Sequence, residues 1–475
     1  MTKTPTNDQA WLSFMDAGKR NFQQGKHRDA AVAFSRAIEL IPDRVEAWIN
    51  VGSALVEAGR YNDAIIALDK AVTINPKLMV SHLLLGDALR MSGQWQPALA
   101  YYQQAVALER SPISLNKLAC AARANDKPDF ADGLYREALD MAPDFTLAQV
   151  NLATLQLGLS RFDEAEKQLQ ALEAITLIPI EQREVELAHF CLSEYQRLQA
   201  PIAELANNDN QAPLEAALRD LPVNMAQSDD VLLKILRRYA EAAHSINLEA
   251  IIPLQELPEE WPLIEAMFMV PVAKSVADYR RIKDQVGKQT PLEGELLASA
   301  NMEAPIRVAR TCRTEMEDPI KAELHLRHWH AMSCSGLEGF LPGHFKYTQN
   351  WIPSNPAIKR VEPALASNTL RQFVSEIYSK VAPGYARAAI VFLAIADLHL
   401  FADGNGRIAL TWLNRELEWA GLMPALFSFE LGLRGELDLA LREVEANGDD
   451  LSPLISVIKR AQRYGQDFCA ELVTS

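Results

Sequence analysis

Residues 399–410 read HLFADGNGRIAL, and the residue types in that stretch are those that handle phosphate. His399 titrates near neutrality and can take a proton from an attacking hydroxyl. Asp403 is a single carboxylate, and Mg²⁺ is commonly held by one or two carboxylates plus substrate phosphates. Gly404 and Gly406 permit positive φ and leave no side chain in the way of an anion. Asn405 lies between them. Arg407 can grip phosphate oxygens in a bidentate way and stabilise charge moving onto a leaving group. Phe401 is expected to point into the core and fix the loop. A lone His, Asp or Arg is ordinarily structural, and a lone Gly-Asn-Gly is merely a turn. The conjunction points to chemistry.

Two helices must position these groups. Upstream runs YARAAIVFLAIADLHLF, apolar nearly all round and therefore a buried helix. Downstream runs RIALTWLNRELEWAG, amphipathic and closed by Gly421 with Pro424 beyond it. The segment ADGNG is then a tight loop feeding a helix N-terminus, where free backbone N–H groups and the positive end of the dipole attract anions. On helical spacing Arg407, Leu410 and Asn414 share one face, so a nucleotide lying there could touch all of them.

The pattern HxFxDGNGR resembles the motif of the Fic family. The resemblance implies an all-helical core and transfer of AMP from ATP to a Ser, Thr or Tyr hydroxyl of another protein. It implies His399 as the general base, Asp403 as the Mg²⁺ ligand, and Gly404, Asn405, Gly406 and Arg407 as the phosphate cradle. Asn414, Gly421 and Pro424 fall where adenylylating members carry Asn, Gly and Pro, which puts Asn414 near the nucleoside.

Further segments extend the resemblance. LPGHFKYTQNWI (341–352) resembles the family's flap, a short β-hairpin that clamps the target by strand pairing; Phe345 and Lys346 stand where an aromatic and an Arg are usual. ASANMEAP places Ser299 and Glu303 at the spacing of an inhibitory helix, with Ala304 where Gly or Asn is usual. Glu303 reads either as a brake, in which case Glu303→Gly raises activity, or as a surface carboxylate. The departure is Leu410, where most adenylylating members have a second Arg. A leucine can neither steady the γ-phosphate nor pair with the inhibitory Glu. Transfer of UMP, phosphocholine or phosphate, and a repeat scaffold with impaired catalysis, therefore stand as alternatives to adenylylation. HLRHWH offers His325, His328 and His330, with a packing or surface role outweighing a metal pair.

The first 180 residues are self-similar. Trp48, Gly52, Leu55, Gly59, Tyr61, Ala64, Leu68, Ala71 and Pro76 recur at matching offsets from Trp11 and from Met79, with fainter copies at 112–145 and 146–180. Period and residue types resemble the tetratricopeptide repeat, of about 34 residues. Such helix pairs stack into a superhelix with a groove that takes a protein or peptide, or else an array that only spaces or dimerises the molecule. The expected division is repeats over 11–180, a helical connector over 181–255, and a Fic-like domain over 256–475.

Composition, with 475 residues, 49% apolar and 23% charged, is that of an ordinary soluble globular protein; the two resemblances imply an all-α chain, and a cytoplasmic location is expected. A net charge of −15 argues against nucleic acid or an anionic membrane as partner. The apolar run 388–401 is broken by Asp397 and His399, so no segment spans a bilayer. Five scattered cysteines without a CxxC pair read as free thiols. The partners expected are a nucleotide with Mg²⁺ and a protein target, and a homodimer stays open.

Overall fold

The computed structural model describes residues 7–125, 127–221, 228–243, 251–270, 272–286, 292–337, 341–347, 360–447 and 450–474. The chain is all-α and divides into two compact units, the first running to Glu186 and the second beginning at Leu187.

The first unit contains five consecutive helix pairs: Asn7–Gln23 with His27–Leu40, Val45–Glu57 with Tyr61–Ile74, Met79–Met91 with Trp95–Leu108, Pro112–Ala124 with Pro128–Met141, and Thr146–Gly158 with Phe162–Leu172. Close approach within a pair explains the recurring glycine. A Cβ on Gly18, Gly52 or Gly86 would fall 2.4 Å from Phe34, 2.4 Å from Leu68 or 2.6 Å from Tyr102. The later pairs place fully buried Ala119 and Ala153 at that position. Polar links join first helices of successive pairs: Lys117 Nζ donates to Asp87 at 2.7 Å, and Asn151 Nδ2 to Asn116 Oδ1 at 2.9 Å.

The second unit is built around the Tyr385–Leu398 helix. Ala388, Ala389, Ile390, Val391, Leu393, Ala394 and Ile395 on it are all inaccessible to water, so its apolar circumference is met by neighbours on every side. The Asn405–Trp419 helix returns along it, and Asp230–Ala243 and Ala366–Glu376 also pack on it. The segment expected to act as a connector contributes Leu232, Leu233, Leu236 and Tyr239 to this core from Asp230–Ala243.

The Pro319–Ser333 helix is pinned by a buried charge cluster. Arg327 bridges Glu323 and Glu194, at 2.9 and 3.0 Å, and Arg371 Nε donates to Glu323 at 2.6 Å. Burial alone would raise the Glu323 carboxyl, but the two guanidinium groups hold it below the usual carboxylate range.

The expected β-hairpin flap is corrected. Among the described residues no strand forms, and Pro253 with Leu422 makes an isolated bridge. Residues 341–347 are turn and coil, with Gly343 in the left-handed region at φ 77°. The rest of that segment, 348–352, lies outside the described residues.

Candidate active site

The buried helix stops at His399, which takes the left-handed conformation (φ 48°, ψ 58°) while its N–H still reaches Ile395 O at 3.0 Å. Only Gly adopts this conformation freely, so a histidine held there carries strain of about 1 kcal/mol or more. Its ring is partly covered, and burial, followed by the charges of Lys346 and Arg360, pulls its pKa down to about 4. The imidazole is therefore neutral at pH 7 and able to accept a proton.

The loop after it is locked from inside. Asn405 turns its side chain back, accepting from Phe401 N–H at 2.9 Å and donating to Phe401 O at 2.8 Å. Phe401 is fully buried, T-shaped against Phe345 at 5.2 Å between ring centroids. Gly404, at φ 80°, is the residue before the Asn405–Trp419 helix, and its N–H is taken by Asp403 Oδ1 at 2.5 Å. The Asp403 side chain is otherwise exposed. Asn405 and Gly406 are the first residues of that helix, and its N-terminal N–H groups point out of the helix toward the loop. Together with the dipole they form an anion site.

A residue outside the motif holds this loop. His330 stacks on Phe401, with centroids 3.9 Å apart and planes 9° from parallel. Its Nδ1 accepts from Gly343 N–H at 3.0 Å, so Nε2 carries the proton and donates to Asp403 O at 3.1 Å. Burial drives its pKa down to about 3, which keeps it neutral in that role. A Cβ on Gly404 would lie 3.2 Å from the His330 ring and 3.3 Å from Arg407 Nη2, so the first glycine is also a close-approach position. In the sequence, His330 stands out only as part of HLRHWH, where a packing or surface role is expected.

Its neighbours have other work. His325 contacts Cys312 Sγ through Nδ1 at 3.4 Å and Glu315 through Nε2 at 2.7 Å, and His328 Nε2 pairs with Asp209 at 3.1 Å.

Arg407 lies along the C-terminal end of the Pro319–Ser333 helix, with Nη1 3.4 Å from Ser333 O. Leu410 and Asn414 turn inward, each 1% exposed. Asn414 donates to Glu265 at 2.9 Å and to Ala425 O at 3.1 Å, and accepts from Ala425 N–H at 2.9 Å. Its Oδ1 and both contacts of its amide nitrogen are thus internal, tied to a buried Arg415–Glu265 ion pair of 2.7 Å. Leu410 lines a narrow recess with Phe268, Met269 and Phe427.

The other expected residues lie elsewhere. Phe345 and Lys346 are buried rather than presented to a target. The Arg327 guanidinium sits 3.7 Å over the Phe345 ring, and Lys346 N–H donates to Leu400 O at 2.8 Å. Burial, with Arg360 adding to it, pulls the Lys346 ammonium down to about 7. Ser299 and Glu303 belong to two separate short helices, Gly294–Ala300 and Glu303–Ala309. Ser299 is buried, and Glu303 is held by Arg307 on its own helix at 2.7 Å. The Ser–Glu spacing does not form one continuous helix, because the chain turns at Asn301 and Met302.

Comparison with known proteins places these observations. Residues 322–417 match the family model of the Fic/DOC family, and residues 15–78 and 116–176 match that of the tetratricopeptide repeat. Among solved structures, MamA is 26% identical over 36% of this chain and 98% of its own, with a TM-score of 0.33. A thermophilic TPR protein of Thermus thermophilus is 21% identical over 38% of this chain and 98% of its own, with a TM-score of 0.33. The first TPR of Spaghetti, bound to an HSP90 peptide, is 21% identical over 25% of this chain and 94% of its own, with a TM-score of 0.24. No curated protein matches the chain. Among the described residues, no helix is long and apolar enough to cross a membrane. The stretch that carries His399, the Gly404–Gly406 loop and Arg407 thus lies within a Fic/DOC domain, and the chain joins that domain to N-terminal tetratricopeptide repeats.

Proposed function

We propose that the chain is a Fic-type protein adenylyltransferase, moving AMP from ATP to a Ser, Thr or Tyr hydroxyl of a protein held by the repeats. The Fic/DOC match supports transfer of a nucleotide- or phosphate-type group onto protein, and the repeats support protein or peptide binding. The observation that carries the finer reading is the juxtaposition of a neutral, strained His399 with a helix N-terminus opened by Gly404 and Gly406.

In this mechanism the imidazole of His399 takes the hydroxyl proton of the target side chain. The freed oxygen attacks the α-phosphorus, and the bond to the departing pyrophosphate breaks. Backbone N–H groups of the Asn405–Trp419 helix hold the phosphate charge that builds on the leaving side, and Arg407 adds a guanidinium there. His330 and Asn405 keep the loop in register so that no reorganisation is needed during the step. Asp403 would hold Mg²⁺: its carboxylate is exposed beside the anion site, with Oδ1 fixed by the Gly404 N–H. One carboxylate plus phosphates and waters suits that ion, which neutralises phosphate charge when bound.

The buried, uncharged Leu410 favours a second reading in which the donor carries another group, such as UMP, phosphocholine or phosphate. Incubation with α-³²P-ATP and Mg²⁺ in lysate tests the first. Label should pass to protein with wild type and not with His399→Ala. Equal labelling by both removes ATP as donor, and intact masses across a donor panel then identify the transferred group.

A further inference from the structure

With Leu410 in the core, the motif helix presents one guanidinium, Arg407, near the anion site. A second reaches it from the Leu433–Asn447 helix. Arg434 Nη2 lies 3.3 Å from the point where a Cβ would stand on Gly406, directly over the second glycine of the cradle. Arg434 Nη1 is shut off from water and has no hydrogen-bond partner among the described residues. The carboxylate whose charge it feels is that of Asp438, one turn along its own helix and exposed. No ion pair to Arg434 forms among the described residues, whereas Glu436, two residues on, is paired with Arg460.

An N–H buried without an acceptor is destabilising, more so when charged, and proteins rarely keep one without a use. Here the unpaired guanidinium faces the same glycine whose missing side chain leaves room for an anion. The geometry points to Arg434 as a donor-binding residue, taking the phosphate oxygens beyond the transferred group and replacing the charge that position 410 lacks. This rests on the reading that residues 399–407 bind a phosphate-bearing donor. Arg434 comes from outside the motif and outside the matched Fic/DOC segment.

Calorimetry on the full chain tests it, with ATP plus Mg²⁺, inorganic tripolyphosphate and AMP as separate probes. Wild type, Arg434→Gln and Arg434→Lys are compared, each with its melting curve. A charge-assisted bidentate contact is worth a factor of roughly ten or more in affinity. Arg434→Gln should therefore weaken ATP and tripolyphosphate by that factor, Arg434→Lys should keep part of it, and AMP should change much less. Unchanged or tighter tripolyphosphate binding in Arg434→Gln overturns the assignment while leaving the donor site standing. So does an equal loss for all three probes, which marks general damage. Wild type that binds neither ATP nor tripolyphosphate removes the donor reading itself, and this assignment with it.

Discussion

His330 and Phe401 lie face to face, 3.9 Å between centroids, and the histidine also donates to the Asp403 carbonyl. One side chain from the Pro319–Ser333 helix thereby sets both the floor and the rim of the loop that carries Asp403 and Gly404. His330→Ala removes the stack, two hydrogen bonds and buried volume. A loss of about 2–4 kcal/mol in urea unfolding is expected, with transfer falling at least tenfold. If transfer survives in a variant that stays folded, the histidine is packing and nothing more.

The state of His399 sets the acid limb of the reaction. With its pKa pulled down to about 4 by burial and by Lys346 and Arg360, the free base persists well below neutrality. Transfer measured as kcat/KM should hold from pH 7 to pH 5 and decline only as pH nears 4. Lys346→Met takes away one of the opposing charges, so its limb should move upward toward the ordinary imidazole value. A wild-type limb near 6.5 would contradict the partly covered, cation-facing histidine.

Lys346 also makes a prediction about stability. Its Nζ is buried without a hydrogen-bond partner, and its pKa falls from 10.5 to about 7. The fold disfavours the ammonium, so the penalty is full below pH 7 and fades as pH rises toward 10.5. Lys346→Met should raise the melting temperature at pH 7, by an amount that shrinks by pH 10. A gain that is the same at both values would show that the amine is not the cause.

Glu303 lies on its own short helix and pairs with Arg307. Glu303→Gly should accordingly leave the transfer rate within about twofold of wild type, because an ion pair confined to one short helix contributes little even to stability. A rise of tenfold or more would reveal a brake acting from another arrangement of these helices.

What the sequence determined by itself is what is local. The glycine positions of the repeats announce helix pairs, because only a missing Cβ lets Phe34, Leu68 or Tyr102 come so near. Residues 399–407 announce an anion loop because base, carboxylate, glycines and arginine are contiguous, and a buried helix before an amphipathic one leaves the loop between them. Helical spacing likewise put Leu410 and Asn414 on one face, but spacing does not say which neighbour a face meets. Packing turned that face toward Glu265, Met269 and Phe427. Ser299 and Glu303 had the right interval, yet a turn at Asn301 separates them. Phe345 and Lys346 suggested a clamp for a target, and burial made them part of the floor instead. The tertiary structure alone decided that His330 and Arg434 stand at the loop. They arrive from helices distant in sequence, and contacts between distant segments follow from the fit of whole surfaces, which no local pattern records.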